Sequence, residues 1–159
     1  RNKIFTDVKI RIGNMEMEAH KIVLEGVSPV IRAMFSHNWL NDNVLEFQEN
    51  FVDPEILDDL LKFFYTAKIK ITSENAFSLC LAAHFLHIPD LLEKCEKFLV
   101  SKLSLENILN FNNFSTKFEL KTLRKGCVDF FASESMNILK DEKLLILNLE
   151  VIFFLTVFP

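Results

Sequence analysis

The sequence predicts an α+β fold: a small, mostly antiparallel sheet near the N-terminus flanked by helices, followed by an all-helical extension. Three observations point there. Residues 8–19 alternate apolar and charged side chains around Gly13-Asn14, the pattern of a β-hairpin with one buried face. From residue 72 onward apolar residues recur at the three- and four-residue spacing of helices. Only 3 glycines and 4 prolines occur in 159 residues, too few breakers for a sandwich of many short strands.

Each element has its own local reason. Val8, Ile10 and Ile12 alternate with Lys9 and Arg11, and Met15, Met17 and Ala19 with Glu16 and Glu18. Gly13-Asn14 between them tolerates positive φ in a tight turn. A short helix is expected over 20–25. Ser28-Pro29 reads as an N-cap followed by proline at the first helical position, opening a helix with Val30, Ile31, Met34 and Phe35. Residues 37–43 are polar apart from Trp39 and Leu40 and read as a loop. Val44–Gln48 reads as a short strand. Asp53-Pro54 repeats the cap-then-proline signal before a helix whose face is Ile56, Leu57, Leu60, Leu61 and Phe64. Lys68–Ile71 alternates and predicts a third short strand region. Helices are expected over 74–86 and 89–103, separated at Ile88-Pro89. Ser104 is read as the cap of a helix carrying Leu105, Ile108, Leu109 and Phe111. A further helix near 118–132 carries Leu120, Leu123, Cys127, Phe130 and Phe131. No internal repeat is evident at this level.

Composition excludes several functions. A formal net charge of −4 argues against a general nucleic-acid binder, which needs a dense basic surface. Three widely spaced cysteines, Cys80, Cys95 and Cys127, imply no disulfide framework and suit a reducing, intracellular setting, cytoplasmic or nuclear. The chain opens at Arg1 without a leader pattern and ends in the apolar run Leu144–Pro159, so it reads as a piece of a longer protein. That run is shorter than the roughly 20 residues a bilayer span needs, so no membrane partner is expected. Cys80, His84 and His87 share a helix face at i, i+4 and i+7 and in principle offer metal ligands. The face is rich in Leu, Ala and Phe, so the core reading is preferred. The glycines at 13, 26 and 126 form no phosphate loop. Asp58-Asp59 reads as a solvated helix edge and His20 as an imidazole hydrogen-bonding at a strand–helix junction. No catalytic residue, metal or cofactor is expected.

Specific stretches then resemble one family. They are Phe5-Thr6-Asp7-Val8, Ala19-His20-Lys21-Ile22-Val23-Leu24, Ser28–Phe35, Phe64-Tyr65-Thr66-Ala67, and Leu86-His87-Ile88-Pro89-Asp90-Leu91 with Cys95 beyond. In this order they resemble the BTB (POZ) domain. Leu103-Ser104-Leu105-Glu106-Asn107 and Leu123–Phe131 resemble the helical extension called the 3-box, and the remainder resembles the opening of a BACK domain. The resemblance implies a BTB domain over 1–103, a 3-box over 104–133 and a truncated BACK start over 134–159. The arrangement is nearest to Kelch-like proteins, with MATH–BTB adaptors next.

The resemblance implies a protein-interaction module, not an enzyme. Many members dimerise, and many bind the N-terminal domain of cullin-3 while another domain recruits an unknown substrate protein for ubiquitylation. The implied cullin-binding residues are Trp39, Leu40, Asn41, Asp42, Tyr65, Phe111 and Asn112. Trp39 matches the hydrophobic position of the contact loop, but Asn41 stands where the family pattern has Glu. A neutral amide accepts hydrogen bonds more weakly than a carboxylate. Trp39 itself either anchors a partner or folds back on its own domain. Phe111 and Asn112 either line the groove or pack the extension, while Ile108 and Phe114 are expected to pack. The implied dimer surface is Ile22, Val27, Val30 and Ile31. Only six residues precede Asp7, so the helix that crosses the partner in dimeric members is missing here, and a weakened dimer or a monomer with an apolar patch is expected. A cullin-independent oligomerisation scaffold or transcription-regulator module is the alternative reading.

Overall fold

The computed structural model describes residues 5–36 and 43–138. The elements run β1 (Val8–Ile12), β2 (Met15–Ala19), α1 (Lys21–Val27), α2 (Pro29–Ser36), β3 (Val44–Phe47), α3 (Leu57–Thr66), α4 (Ala76–Phe85), α5 (Pro89–Val100), α6 (Ile108–Lys117) and α7 (Lys121–Ile138). The chain divides into two compact units, Arg1–Cys95 and Glu96–Pro159, with the boundary inside α5.

In the first unit β1 is the middle strand, antiparallel to β2 and parallel to β3, with Ile10 opposite both Met17 and Leu45. The sheet is therefore mixed, with one pairing of each kind. A parallel neighbour needs a long crossover, and α1 and α2 supply it. Val8, Ile10, Ile12, Leu45 and Phe47 are all buried. Of the two hairpin-loop residues only Gly13 takes positive φ, at 54°, the pattern of a type II′ turn. β2 is an edge strand, so the expected apolar face is thin: Ala19 is buried but Met15 is exposed. Glu16 accepts from Lys9 and Arg11 on the solvent side, at 2.6 and 3.0 Å. Such exposed pairs contribute little to stability.

The two predicted caps form. Ser28 is fully buried; its hydroxyl accepts from the Ile31 amide at 3.2 Å and donates to the Leu86 carbonyl at 2.7 Å. One oxygen of Asp53 accepts from the Glu55 amide at 2.9 Å, and the other accepts from the Ser78 hydroxyl at 2.8 Å. A single 3-10 turn, Pro54–Ile56, leads into α3. Ile56, Leu57, Leu60, Leu61 and Phe64 are all buried, as their spacing predicts. α3 stops at Ala67, whose left-handed backbone sends its amide to the Phe63 carbonyl at 2.8 Å.

The strand expected at 68–71 does not form. The backbone groups there serve the entrance of α4 instead: the Asn75 side chain donates to the Lys70 carbonyl at 3.0 Å and accepts from the Thr72 amide at 2.8 Å. The same device corrects the start of α6. Asn107 donates to the Lys102 carbonyl and accepts from the Ser104 amide, both at 2.8 Å, so the helix begins at Ile108 and not directly after Ser104.

These two entrances belong to a larger duplication, which overturns the expectation of no internal repeat. Lys70-Ile71-Thr72-Ser73-Glu74-Asn75 corresponds to Lys102-Leu103-Ser104-Leu105-Glu106-Asn107. Each Asn opens a ten-residue helix, α4 or α6. Each helix closes through a corner whose middle residue has positive φ, His87 at 50° and Glu119 at 53°. In each the following amide reaches back five residues, Ile88 to Ala83 at 2.9 Å and Leu120 to Ser115 at 2.8 Å, as a Schellman motif requires. The next helices bury Leu91 and Cys95, then Leu123 and Cys127, at matching positions. Seven residues of the two copies are identical, Lys70/102, Glu74/106, Asn75/107, Leu91/123, Cys95/127, Phe98/130 and Ser101/133. What repeats is mostly backbone geometry and burial, which side-chain spelling does not display.

In the second unit α6 packs on α7. Glu96, only 5% exposed, caps α7 from outside the helix by accepting from the Leu123 amide at 2.7 Å. Gly126 is fixed by crowding: a Cβ there would lie 2.5 Å from a Val100 methyl.

Candidate interaction surface

Hydrogen bonds around His20 and Tyr65 define a candidate position. His20 closes β2 and stands at the N-cap of α1. Tyr65 lies in the last turn of α3 and is 41% exposed. The Tyr65 hydroxyl accepts from the His20 amide at 3.0 Å and lies 2.6 Å from the ring Nδ1. The two rings meet edge-on, 5.8 Å apart. The junction reading of His20 thus acquires a specific partner. Beside it, Asp7 accepts from the Lys21 amide at 2.8 Å, and the Lys21 ammonium donates to the Asn43 side chain at 2.8 Å and sits over the Phe35 ring. Asn43, at φ 60°, also accepts from the Lys9 amide through its carbonyl, so the described end of the 37–43 loop is tied to β1 and α1. Trp39, Leu40, Asn41 and Asp42 lie outside the described residues.

The apolar positions on α1 and α2 separate. Ile22 is 80% exposed, and Val27 and Val30 are half-buried. Ile31 is fully buried, which corrects its place on the implied dimer surface: it is the inward residue of α2, one turn beyond buried Ser28. Phe5, at φ 63° and 91% exposed, is an apolar side chain on the same unit that sequence reading missed. Its aromatic identity was visible, but nothing local signals exposure.

In the second unit the open alternative for Phe111 and Asn112 resolves toward packing. Both are buried, at 8% and 4% exposure, alongside Ile108. Among the described residues the Asn112 side-chain oxygen has no hydrogen-bond partner. In the duplication this Asn stands where buried Cys80 stands in the first copy, so a polar group occupies an apolar position.

The metal face of α4 is not assembled. Cys80 is fully buried within α4, whereas His87 lies past its end at the positive-φ corner and is exposed. Among the described residues no three His, Cys, Asp or Glu side chains lie close enough to hold a metal ion. Cys80, Cys95 and Cys127 are buried thiols outside any disulfide, and burial pushes the Cys127 thiol up to about 11. No described helix is long and apolar enough to cross a membrane.

Comparison with known proteins agrees with this architecture. The family model of the BTB/POZ domain matches residues 1–103. Human Kelch-like protein 38 is 33% identical over 125 residues, 79% of this chain and 22% of that protein. Mouse Kelch-like protein 17 is 29% identical over 147 residues, 92% of this chain and 23% of that protein. The Kelch repeat and BTB domain-containing protein 1 of cowpox virus is 25% identical over 138 residues, 87% of this chain and 24% of that protein. The chain thus spans about a quarter of the length of these relatives. Among solved structures, the BTB domain of zebrafish PATZ1 is similar at a TM-score of 0.55 and 32% identity, covering 62% of this chain and 78% of that one. With the family match over its first 103 residues and the mixed sheet, caps and helices described above, the chain belongs to the BTB/POZ family of protein-interaction domains.

Proposed function

We propose that this chain is the cullin-3-binding part of a substrate adaptor of a cullin-RING ubiquitin ligase, with a 3-box in residues 104–133 and a BACK start from 134. One observation carries the reading. Similarity to Kelch-like protein 17 extends over 92% of the chain, past the BTB match and into the second helical hairpin. A module that needed only self-association has no use for that extension. Tyr65 and the Trp39–Asp42 loop are the contact residues in this reading, with Trp39 as anchor, since buried indoles dominate interface energetics. Ile22, with half-buried Val27 and Val30, supplies a self-association surface.

Asn41 favours a second reading, a cullin-independent BTB scaffold, because a charged acceptor is absent where the family pattern has one. Titration of the cullin-3 N-terminal domain into wild type and Asn41→Glu separates the two. The adaptor reading predicts a Kd in the micromolar range or tighter for wild type, with Asn41→Glu binding at least as tightly. Absence of binding by both, with self-association retained, establishes the scaffold.

A further inference from the structure

We infer that His20 sets the hydrogen-bonding polarity of Tyr65: the hydroxyl presents a partner with an acceptor while the imidazole is neutral, and with a donor once the imidazole is charged. The inference rests on the proposed place of Tyr65 in the partner-binding surface.

The argument is one of valence. A phenol oxygen has one proton and two lone pairs. One lone pair is taken by the His20 amide, which can only donate. The contact to Nδ1 takes a second position. At 2.6 Å it has the length of an O–H donor and is shorter than a usual N–H···O bond. With the imidazole neutral and Nδ1 unprotonated, Tyr65 donates inward and the ring proton sits on Nε2. One lone pair is left, and Tyr65 is 41% exposed. A partner group meeting it must donate: an amide, ammonium or guanidinium.

Protonation of the imidazole inverts this. Both ring nitrogens then donate, so Nδ1–H and the His20 amide fill the two lone pairs and the hydroxyl proton turns outward. The partner group must then accept, and the former donor is repelled. The charged side chains on the elements meeting here are Asp7 before β1, Glu16 and Glu18 on β2, Lys21 and Glu25 on α1, and Asp58, Asp59 and Lys62 on α3; Glu16 is bonded to Lys9 and Arg11. Asp7 is bonded to the Lys21 amide, the Lys21 ammonium to Asn43, and Lys62 to both α3 aspartates.

The test needs no partner at first. The whole chain is labelled with 15N-histidine, and ring spectra are recorded from pH 8 to 5.5 on wild type, Tyr65→Phe and, to identify the His20 signals, His20→Gln. The expected result at pH 8 is an Nε2-protonated ring whose Nδ1 signal carries a hydrogen-bond shift that Tyr65→Phe abolishes. A ring protonated on Nδ1 at pH 8, or an Nδ1 signal identical in the two proteins, overturns the inference. A melting curve of Tyr65→Phe shows that it is folded. The functional arm compares binding of the cullin-3 N-terminal domain at pH 8 and 5.5. Wild type is expected to change affinity at least threefold more than Tyr65→Phe, and equal change in the two overturns the inference. Failure of wild type to bind at either pH refutes the adaptor reading alone, and the ring spectra still decide this one.

Discussion

Ser28 concentrates two duties in one hydroxyl, capping α2 and holding the carbonyl of Leu86 across the core of the first unit. Both bonds are buried, so Ser28→Ala strands a donor and an acceptor and is expected to cost about 1–3 kcal/mol. Urea denaturation measures it; a loss below about 0.5 kcal/mol would contradict the account. Cys127 makes the opposite kind of prediction. With its thiol pushed up to about 11 and 1% exposed, it is expected to resist thiol reagents at pH 8 in the folded chain and to react at once in denaturant. The sign follows from linkage. The folded state holds this proton more tightly, so its contribution to stability declines as pH rises from the free-thiol value toward 11. At this scale the sequence was legible where chemistry is local. Ser28-Pro29 and Asp53-Pro54 announce caps because the capped amide lies two or three residues away. Ile31 was misplaced because neighbours in sequence do not reveal which side of a short helix faces inward.

At the scale of elements the duplicated hairpin is the main result. If Asn75 and Asn107 perform one job, Asn75→Ala and Asn107→Ala should destabilise by similar amounts, about 1–2 kcal/mol each, since each removes two backbone bonds. Thermal melts of both variants check this, and a large disparity would show that the copies are not equivalent. Gly126→Ala tests packing against propensity. Alanine favours a helix by about 1 kcal/mol over glycine, yet the new Cβ meets Val100 at 2.5 Å, so the variant is expected to be less stable than wild type. The missed features share a physical reason. The parallel pairing of β3, the loss of a strand at 68–71 and the Glu96 cap on α7 all depend on partners that are distant in sequence or compete for the same backbone groups. Alternation at 68–71 looked like a strand, but a strand needs a ladder, and Thr66 engages the backbone of Lys68 while Asn75 takes the Lys70 carbonyl.

At the scale of the whole molecule, the fold class was legible because hairpin alternation is confined to residues 8–19 and helical periodicity alone prevails after residue 72, and the mixed sheet was the main amendment. The interaction surface was legible only in part. Ile22 emerged exposed as expected, whereas the Trp39–Asp42 loop lies outside the described residues and Phe111 and Asn112 went to the interior. If Ile22 contributes to self-association, Ile22→Asp should shift any dimer seen by sedimentation at micromolar concentration toward monomer; an unchanged distribution would exclude this surface. The central claim, a cullin-3 adaptor anchored by one indole, is tested most directly by calorimetric titration of the cullin-3 N-terminal domain into wild type and Trp39→Ala. The account predicts micromolar or tighter binding, weakened by about 2 kcal/mol or more on truncation, the size expected of a hot spot. Equal affinity of the two proteins would contradict it.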